Sequence, residues 1–299
     1  MLKWLKKRFD RLFFLENWKC IVMRSTFESF LNKKIQQNDI IFETKESNFR
    51  FFADPFFIQK DNKIYLFLEE YKYIQKKGII SYFSFDSDLK NEKYGNIDID
   101  YQKHFSFPFI FEKENETYCI FETYKNKSID FYKSTNFPNK WEFQRTILQG
   151  EYLDTIVYKE DDVYFLFTSS IINGTDCELH LFYSLDMINW IKHVKSPVRS
   201  GFFGSRMAGN LFIDKNKIIR PAQISEKCYG DGICFYNIII LTKDDYQEEL
   251  ISMIMARDIG LDGIHSFNIL DDLIVIDVKK HKYSIVKILH KIIRIFFLK

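Results

Sequence analysis

The chain has 299 residues, enough to bury a large core, and a single β-architecture of this length is ordinary. Aromatic residues make up 18% of it, with 32 Phe and 17 Tyr against 11 Gly, which excludes a disordered chain. The formal net charge of +2 hides an uneven distribution: residues 1–11 and 279–299 together carry +11, so the body between them carries −9. An acidic body excludes a nucleic-acid binder, whose basic face sits on the folded domain, and leaves anionic lipid as a partner for the basic ends.

Residues 1–13 place Leu2, Leu5, Phe9, Leu12 and Phe13 on one helical face, with Lys3, Lys6, Lys7 and Arg11 largely on the other. This basic amphipathic helix suits docking on the domain or lying on a membrane. It has no apolar signal-peptide core. The five cysteines form an odd set without CxxC spacing, as expected of free thiols in a reducing compartment. The predicted location is cytoplasmic, with the inner face of the membrane open to the basic ends. Glu16–Met23 then reads as a strand.

From Phe52 a pattern begins that returns four times. Asp54-Pro55-Phe56-Phe57-Ile58, a polar turn, and Ile64-Tyr65-Leu66-Phe67-Leu68-Glu69-Glu70 form the first hairpin. Phe107–Phe111 with Thr117–Glu122, and Asp154–Tyr158 with Val163–Thr168, repeat it. Weaker copies start at Ala208 and Ser266, the starts lying roughly 50 residues apart, a period that belongs to propeller blades. Blade four departs from the pattern, because Arg220 and Pro221 interrupt its second strand. The predicted fold is all-β: a five-bladed β-propeller over residues 14–283. The Glu16–Met23 strand closes its last blade and removes an exposed sheet edge. Residues 284–299 form a second basic amphipathic helix, too short and too charged to span a bilayer. Two such ends suit peripheral membrane contact as well as packing on the propeller flank.

In a propeller the innermost strands begin near the central channel, so equivalent repeat positions converge there. The expected set is Asp54, His104, Ser106, Asp154, Arg206 and His265, with a second ring of Glu69, Glu70, Glu122, Arg220 and Gln223 from the strand ends. Charge converging from several blades points to a polar ligand, because unpaired clustered charge is costly. Glu122 or Glu69 is the expected proton donor if burial raises its pKa. Tyr229 is a further candidate. Asp and His at the axis suit a divalent ion, but no ligand spacing demands one, so no metal or cofactor is predicted.

Glu16-Asn17-Trp18, Phe52-Ala53-Asp54-Pro55-Phe56, Phe107-Pro108, Arg206-Met207-Ala208-Gly209, Arg220-Pro221-Ala222-Gln223, Tyr229-Gly230 and His265-Ser266-Phe267-Asn268 occur in this order. Together they resemble the five-bladed propellers of the glycosyl hydrolase family 43 clan. They are closer to the N-terminal propeller of plant glucosamine inositolphosphorylceramide transferase and its bacterial surface-polysaccharide relatives. The clan implies Asp54 as general base or nucleophile partner and a glutamate as general acid; here blade three offers Asp154, and no glutamate falls on the clan's acid motif. The resemblance implies a carbohydrate-active propeller in bacterial surface-polysaccharide or glycolipid biosynthesis. The expected reaction is glycosyl transfer from a nucleotide sugar to a glycan or glycolipid acceptor, with Asp54, Asp154 and Glu122 catalytic. His104, Ser106, Glu69, Arg206, Arg220, Gln223, Tyr229, His265 and Asn268 bind substrate in this reading. Arg206, Arg220 and His265 are expected to hold phosphate or an anionic sugar. A non-catalytic sugar-binding module and a glycoside hydrolase are the alternatives.

Overall fold

The computed structural model describes residues 13–32, 37–45, 47–99, 104–123, 126–172 and 176–297. The expected helix over residues 1–13 therefore lies outside the described residues but for Phe13. The chain opens with β1 (Phe14–Arg24) and β2 (Ile40–Glu43), between which helix α1 (Phe27–Leu31) is capped by the Thr26 hydroxyl accepting from the Ser29 N–H. Blade 1 is β3 (Arg50–Lys60), β4 (Lys63–Lys72), β5 (Lys77–Asp86) and β6 (Lys93–Asn96), paired in that order. Blade 2 is β7 (Ser106–Lys113), β8 (Glu116–Glu122), β9 (Ser128–Asn136) and β10 (Lys140–Gln149). Blade 3 is β11 (Leu153–Glu160), β12 (Val163–Ile172) and β13 (Asp176–Ser184), edged by the short β14 (Ile191–Lys192) and β15 (Arg199–Ser200). Blade 4 holds β16 (Phe203–Met207) and β17 (Phe212–Asp214), both paired with β18 (Lys217–Ile224), then β19 (Gly232–Leu241) and β20 (Tyr246–Met255).

Blade 5 joins distant parts of the chain. Its inner strands are β21 (Gly263–Leu270) and β22 (Leu273–Tyr283), and its outer strands are β1 and β2. β1 pairs with β22 without a break from Phe14↔Tyr283 to Arg24↔Leu273. The five-bladed propeller closed by an early strand, expected from the repeats, is the fold. Helix α2 (Val286–Phe297) follows β22.

The near-continuous apolar strands follow from the geometry. Successive side chains point to opposite faces of a sheet, and each sheet is sandwiched between two others, so both faces must be apolar. On β4, Ile64, Leu66 and Leu68 pack toward blade 5 with Val22 and Val275, while Tyr65 and Phe67 pack toward blade 2 with Ile110 and Phe121. Between blades 4 and 5, Phe27 and Phe30 of α1 wedge against Phe235 and Phe267. The aromatic excess is the filling between the blades.

The register breaks at one place on every inner strand: between Ala53 and Phe56, Ser106 and Phe109, Leu153 and Ile156, Phe203 and Arg206, and Ile264 and Phe267. These are β-bulges, which re-aim side chains. The residues they release are Asp54, Phe107, Asp154, Gly204 and His265. Four of them have a left-handed backbone, with φ of 51°, 45°, 50° and 81° for Asp54, Phe107, Asp154 and Gly204. Aspartate and glycine adopt that region at little cost, whereas Phe107 holds it under strain. The register also corrects two assignments: His104 precedes β7, with Phe107 at its bulge, and Arg206 lies beyond the blade 4 bulge, which Gly204 occupies.

Asn268 ties three blades together. Its amide nitrogen donates to the Pro55 carbonyl at 2.7 Å, and its side-chain oxygen accepts from the Asn210 N–H at 2.8 Å. Being buried in this stitch, it is not a substrate contact as expected from the sequence. Asn268→Ala strands both partners, so it should lower unfolding stability by about 2 kcal/mol, read from urea denaturation.

Candidate functional site

The released residues gather at the channel end where the inner strands begin. The His265 ring lies between two carboxylates, with Nε2 3.0 Å from Asp54 Oδ1 and Nδ1 2.9 Å from Asp277 Oδ1. Burial opposes an imidazolium here, but Asp277 and Asp54 overcome it and push His265 up to about 10. Burial likewise opposes the Asp277 carboxylate, yet His265 and the Ser266 hydroxyl hold it below its ordinary range. Asp277 accepts from the Asp54 N–H at 3.0 Å, the Ser266 N–H at 2.9 Å and the Ser266 hydroxyl at 2.6 Å. Asp54 in turn accepts from the strained Phe107 N–H at 3.3 Å, so the bulges of blades 1, 2 and 5 are linked through one carboxylate. Ligand atoms of Asp54, His265 and Asp277 lie within 4.8 Å of one another, the spacing of a cation site, with the His265 ring between the two carboxylates.

Across the axis, Arg206 grips Asp154 with two parallel bonds, Nε to Oδ2 at 2.6 Å and Nη2 to Oδ1 at 3.0 Å. The Gln223 amide donates to Asp154 at 3.3 Å and to the Met207 carbonyl at 2.8 Å. Glu122 accepts from the Asp154 N–H at 3.0 Å. Burial, then the neighbouring Asp154, raises the Glu122 carboxyl to about 8. Glu69 is raised well above the carboxylate range by burial, then by Asp54 and Glu122. Both glutamates pair in register with the residue just before a bulge, Glu69 with Ala53 and Glu122 with Ser106, so they hold the same place in adjacent blades. The axis thus sets two raised carboxyls, Glu69 and Glu122, beside Asp54 and Asp154, and Glu122 is largely protonated at neutral pH.

Aromatic rings and one histidine rim this cluster. Trp18 meets the His265 ring edge-on at 4.3 Å, and Tyr229 lies 4.9 Å from it and under the Arg206 guanidinium at 5.4 Å. Tyr229 as a residue is 40% exposed. Its loop is held by Lys279, which donates to the Tyr229 carbonyl at 2.6 Å and lies over Trp18. Gly230 is required there, because φ is +80° and a Cβ would stand 2.7 Å from the Trp18 ring. His104 Nδ1 accepts from the Gly78 N–H at 2.9 Å, which turns Nε2 toward Glu69 at 3.5 Å.

Of the residues expected from the sequence, Asp54, Asp154, Glu69, Glu122, His104, Ser106, Arg206, Gln223, Tyr229 and His265 come together at this end. Arg220 does not. It is fully buried, with two bonds to Glu248 and one to the Gly204 carbonyl, and so cannot reach a ligand. Glu70 faces away from Glu69 on its strand and binds Arg50, Ser81 and Tyr94. Sequence reasoning missed Asp277, although an acid inside Leu273-Ile274-Val275-Ile276-Asp277-Val278 is a signal that something opposes it.

These features define a five-bladed β-propeller with a carboxyl-rich axis. A profile of the family described as "Glucosamine inositolphosphorylceramide transferase 1, N-terminal" matches residues 31–270, and the chain belongs to that family. It is 31% identical over 210 residues to glucosamine inositolphosphorylceramide transferase 1 of Oryza sativa subsp. japonica, covering 68% of this chain and 28% of that one. The Arabidopsis thaliana protein of that name is 28% identical over 228 residues, covering 73% of this chain and 29% of its own. The chain therefore spans less than a third of the length of these relatives. Among solved structures, a thermostable family-43 glycoside hydrolase superposes with a TM-score of 0.53 at 13% identity, covering 77% of this chain and 88% of that one. The Bombyx mori GH32 beta-fructofuranosidase BmSUC1 gives 0.54 at 13% identity, covering 77% and 59%. These likenesses show the fold.

His265 and Glu122 set a pH dependence of the same sign. The folded protein holds the His265 proton more tightly than the unfolded chain, whose pKa is 6.5. That stabilisation is complete below 6.5 and is lost as pH rises through about 10. Glu122, raised from 4.5 to about 8, loses its share as pH rises through about 8. Unfolding free energy should fall from pH 7 to 10, and Glu122→Gln should flatten the part of the fall below about 8. His265→Gln leaves two carboxylates unpaired and should cost about 3–5 kcal/mol at pH 7. Urea titrations at stepped pH check all three.

Proposed function

We propose that the chain is a carbohydrate-active propeller that binds the sugar of a glycan or glycolipid acceptor at its axis and acts in glycosyl transfer. The observation that carries this reading is Glu122, raised to about 8 beside Asp54 and Asp154 at the axis of a chain from this family. A carboxyl titrating near neutrality takes and returns protons efficiently, and transfer needs a group that removes the acceptor hydroxyl's proton. Sugar hydroxyls suit the rest of the site: the Glu69, Asp54 and Asp154 carboxyl groups offer them hydrogen-bonding oxygens, and the Tyr229 ring takes an apolar sugar face.

The cations argue for acceptor rather than donor. Arg206, Arg220 and His265, expected to hold phosphate, are each matched by carboxylates: Asp154, Glu248, and the pair Asp54 and Asp277. An anionic donor would have to break one of these pairs. A second reading, a binding module that presents sugar to a separate catalytic domain, is favoured by the short span of the relatives that the chain covers.

The test is activity with nucleotide sugars and short glycans, alongside a thermal-shift panel of the same glycans. With Glu122 as general base, transfer should rise with pH through about 8. Glu122→Gln should keep the glycan shift and lose on the order of 10²-fold or more in turnover. A rate that falls through the same pH, with sugar released to water, would mean that Glu122 is a general acid and the chain a hydrolase. A glycan shift lost in Asp54→Asn, without turnover in any condition, would leave the binding module.

A further inference from the structure

Helix α2 is amphipathic, and its apolar stripe faces outward. His290 is buried, its ring stacked on Tyr73 at 5.5 Å and against Phe49 at 5.7 Å. Lys287 donates to the Phe14 carbonyl, and Arg294 is near enough to act electrostatically on Tyr71. The helix is therefore anchored through a histidine and two cations. Ile285, Leu289, Ile292 and Ile295 fall at helical spacing and are 77%, 45%, 44% and 59% exposed, continuing from Tyr283 at 55%. Exposing such a stripe runs against the ordinary fate of an amphipathic helix, which buries it against its own domain.

We infer that α2 is a membrane-docking helix that seats its apolar stripe in the interface of an anionic lipid surface. The distribution of charge selects this occupant. Residues 279–299 carry seven Lys and Arg and no acid, a cationic segment even though Lys279 is buried and Lys287 and Arg294 face the fold. The cationic segment 1–11 leads into the chain beside it, for Phe14 pairs with Tyr283 and the Ser284 N–H donates to the Phe13 carbonyl. A second copy of the chain, or segment 1–11 itself, would set positive charge against positive charge. An anionic surface neutralises both segments while the stripe buries its apolar area. The body, at −9, is repelled by the same surface, so this end of the propeller is the one that approaches. None of the described helices is long and apolar enough to cross a membrane, in keeping with a helix that lies in the interface.

The placement has a consequence for the axis. Tyr71 and Tyr73, against which α2 lies, follow Glu69 at the end of β4, and His104 stands 6.1 Å from the Tyr71 ring. The docked helix therefore turns the carboxyl-rich end of the channel toward the lipid. Docking itself does not depend on the carbohydrate reading.

The test is co-sedimentation of the full chain with vesicles of phosphatidylcholine alone and of phosphatidylcholine mixed with phosphatidylglycerol. The chain should sediment with the anionic vesicles, less so at high salt, and scarcely with the neutral ones. Leu289→Glu combined with Ile292→Glu should weaken that binding roughly tenfold or more while leaving the melting temperature unchanged. Lys280→Gln with Lys282→Gln should weaken it with the stripe intact. The inference is overturned if the wild type ignores anionic vesicles, or if the double glutamate variant binds as well as the wild type. It is also overturned if that variant melts markedly lower, which would mean that the stripe is covered within the fold. Equally, a dimer in sedimentation equilibrium that the variant dissociates would assign the stripe to a second copy.

Discussion

The His265 ring set between Asp54 of the first blade and Asp277 of the last is the contact around which the propeller closes. Strand pairing carries β1 into blade 5, and apolar packing holds each sheet to its neighbours. Neither fixes how the first and last blades meet at the axis. The imidazolium does, because it satisfies two buried carboxylates from different blades that would otherwise stand unpaired. Asp277 also takes the backbone N–H groups of Asp54 and Ser266, so the bulges that aim the site residues are held by the same charges. Fold closure and site geometry are one arrangement here.

The blades are legible in the sequence because a propeller imposes a strong pattern. Each sheet is buried on both faces, so each inner hairpin becomes an apolar run, and five such runs at a near-constant period mark a repeat of stacked sheets. Asp54 and Asp154 stand out because an acid at the head of such a run has no packing role. His104 and Arg206 fall away from the bulge positions Phe107 and Gly204 when placed by spacing, because spacing along the chain does not reveal a bulge. The extra residues in each inner strand shift the phase, and only the pairing with β8 and β18 shows by how much. Arg220 misleads for a different reason. An arginine in an apolar strand looks like a ligand contact until its partner is known, and Glu248 lies 28 residues away on β20. Asp277 escapes notice because it follows the apolar run Leu273–Ile276, where a polar residue reads as the exit to solvent although the strand continues to Tyr283. Long-range charge pairs leave little trace in a single sequence.

The pairing of the cations also constrains what the axis can accept. His265 is matched to Asp54 and Asp277, and Arg206 to Asp154. Burial raises Glu69 and Glu122 and so favours their neutral forms, which keeps down the negative charge of the centre. A phosphate entering it would meet carboxylates before it met an uncommitted guanidinium. A neutral sugar meets donors and acceptors in the right mixture, and each bond it forms replaces one to water without separating an ion pair. Ionisation of either glutamate would shift that balance, since each is raised partly by the carboxylates around it. The site is thus tuned to hold a proton near neutral pH, and ligand hydroxyls are the groups with which it can exchange one.

That constraint bears on which substrates can reach the channel. Apolar area is exposed on α2 at the same end of the propeller as the raised carboxyls. A freely diffusing glycan gains nothing from this coincidence. A sugar carried on a lipid does, because one surface then orients both the headgroup and the channel mouth, and the acidic body keeps the rest of the protein off the membrane. Confinement to a plane also raises the local concentration of the acceptor, so modest affinity at the axis is sufficient. In the proposed docking, anionic lipid would attract the basic α2 segment while a neutral sugar headgroup is read at the axis by hydrogen bonds.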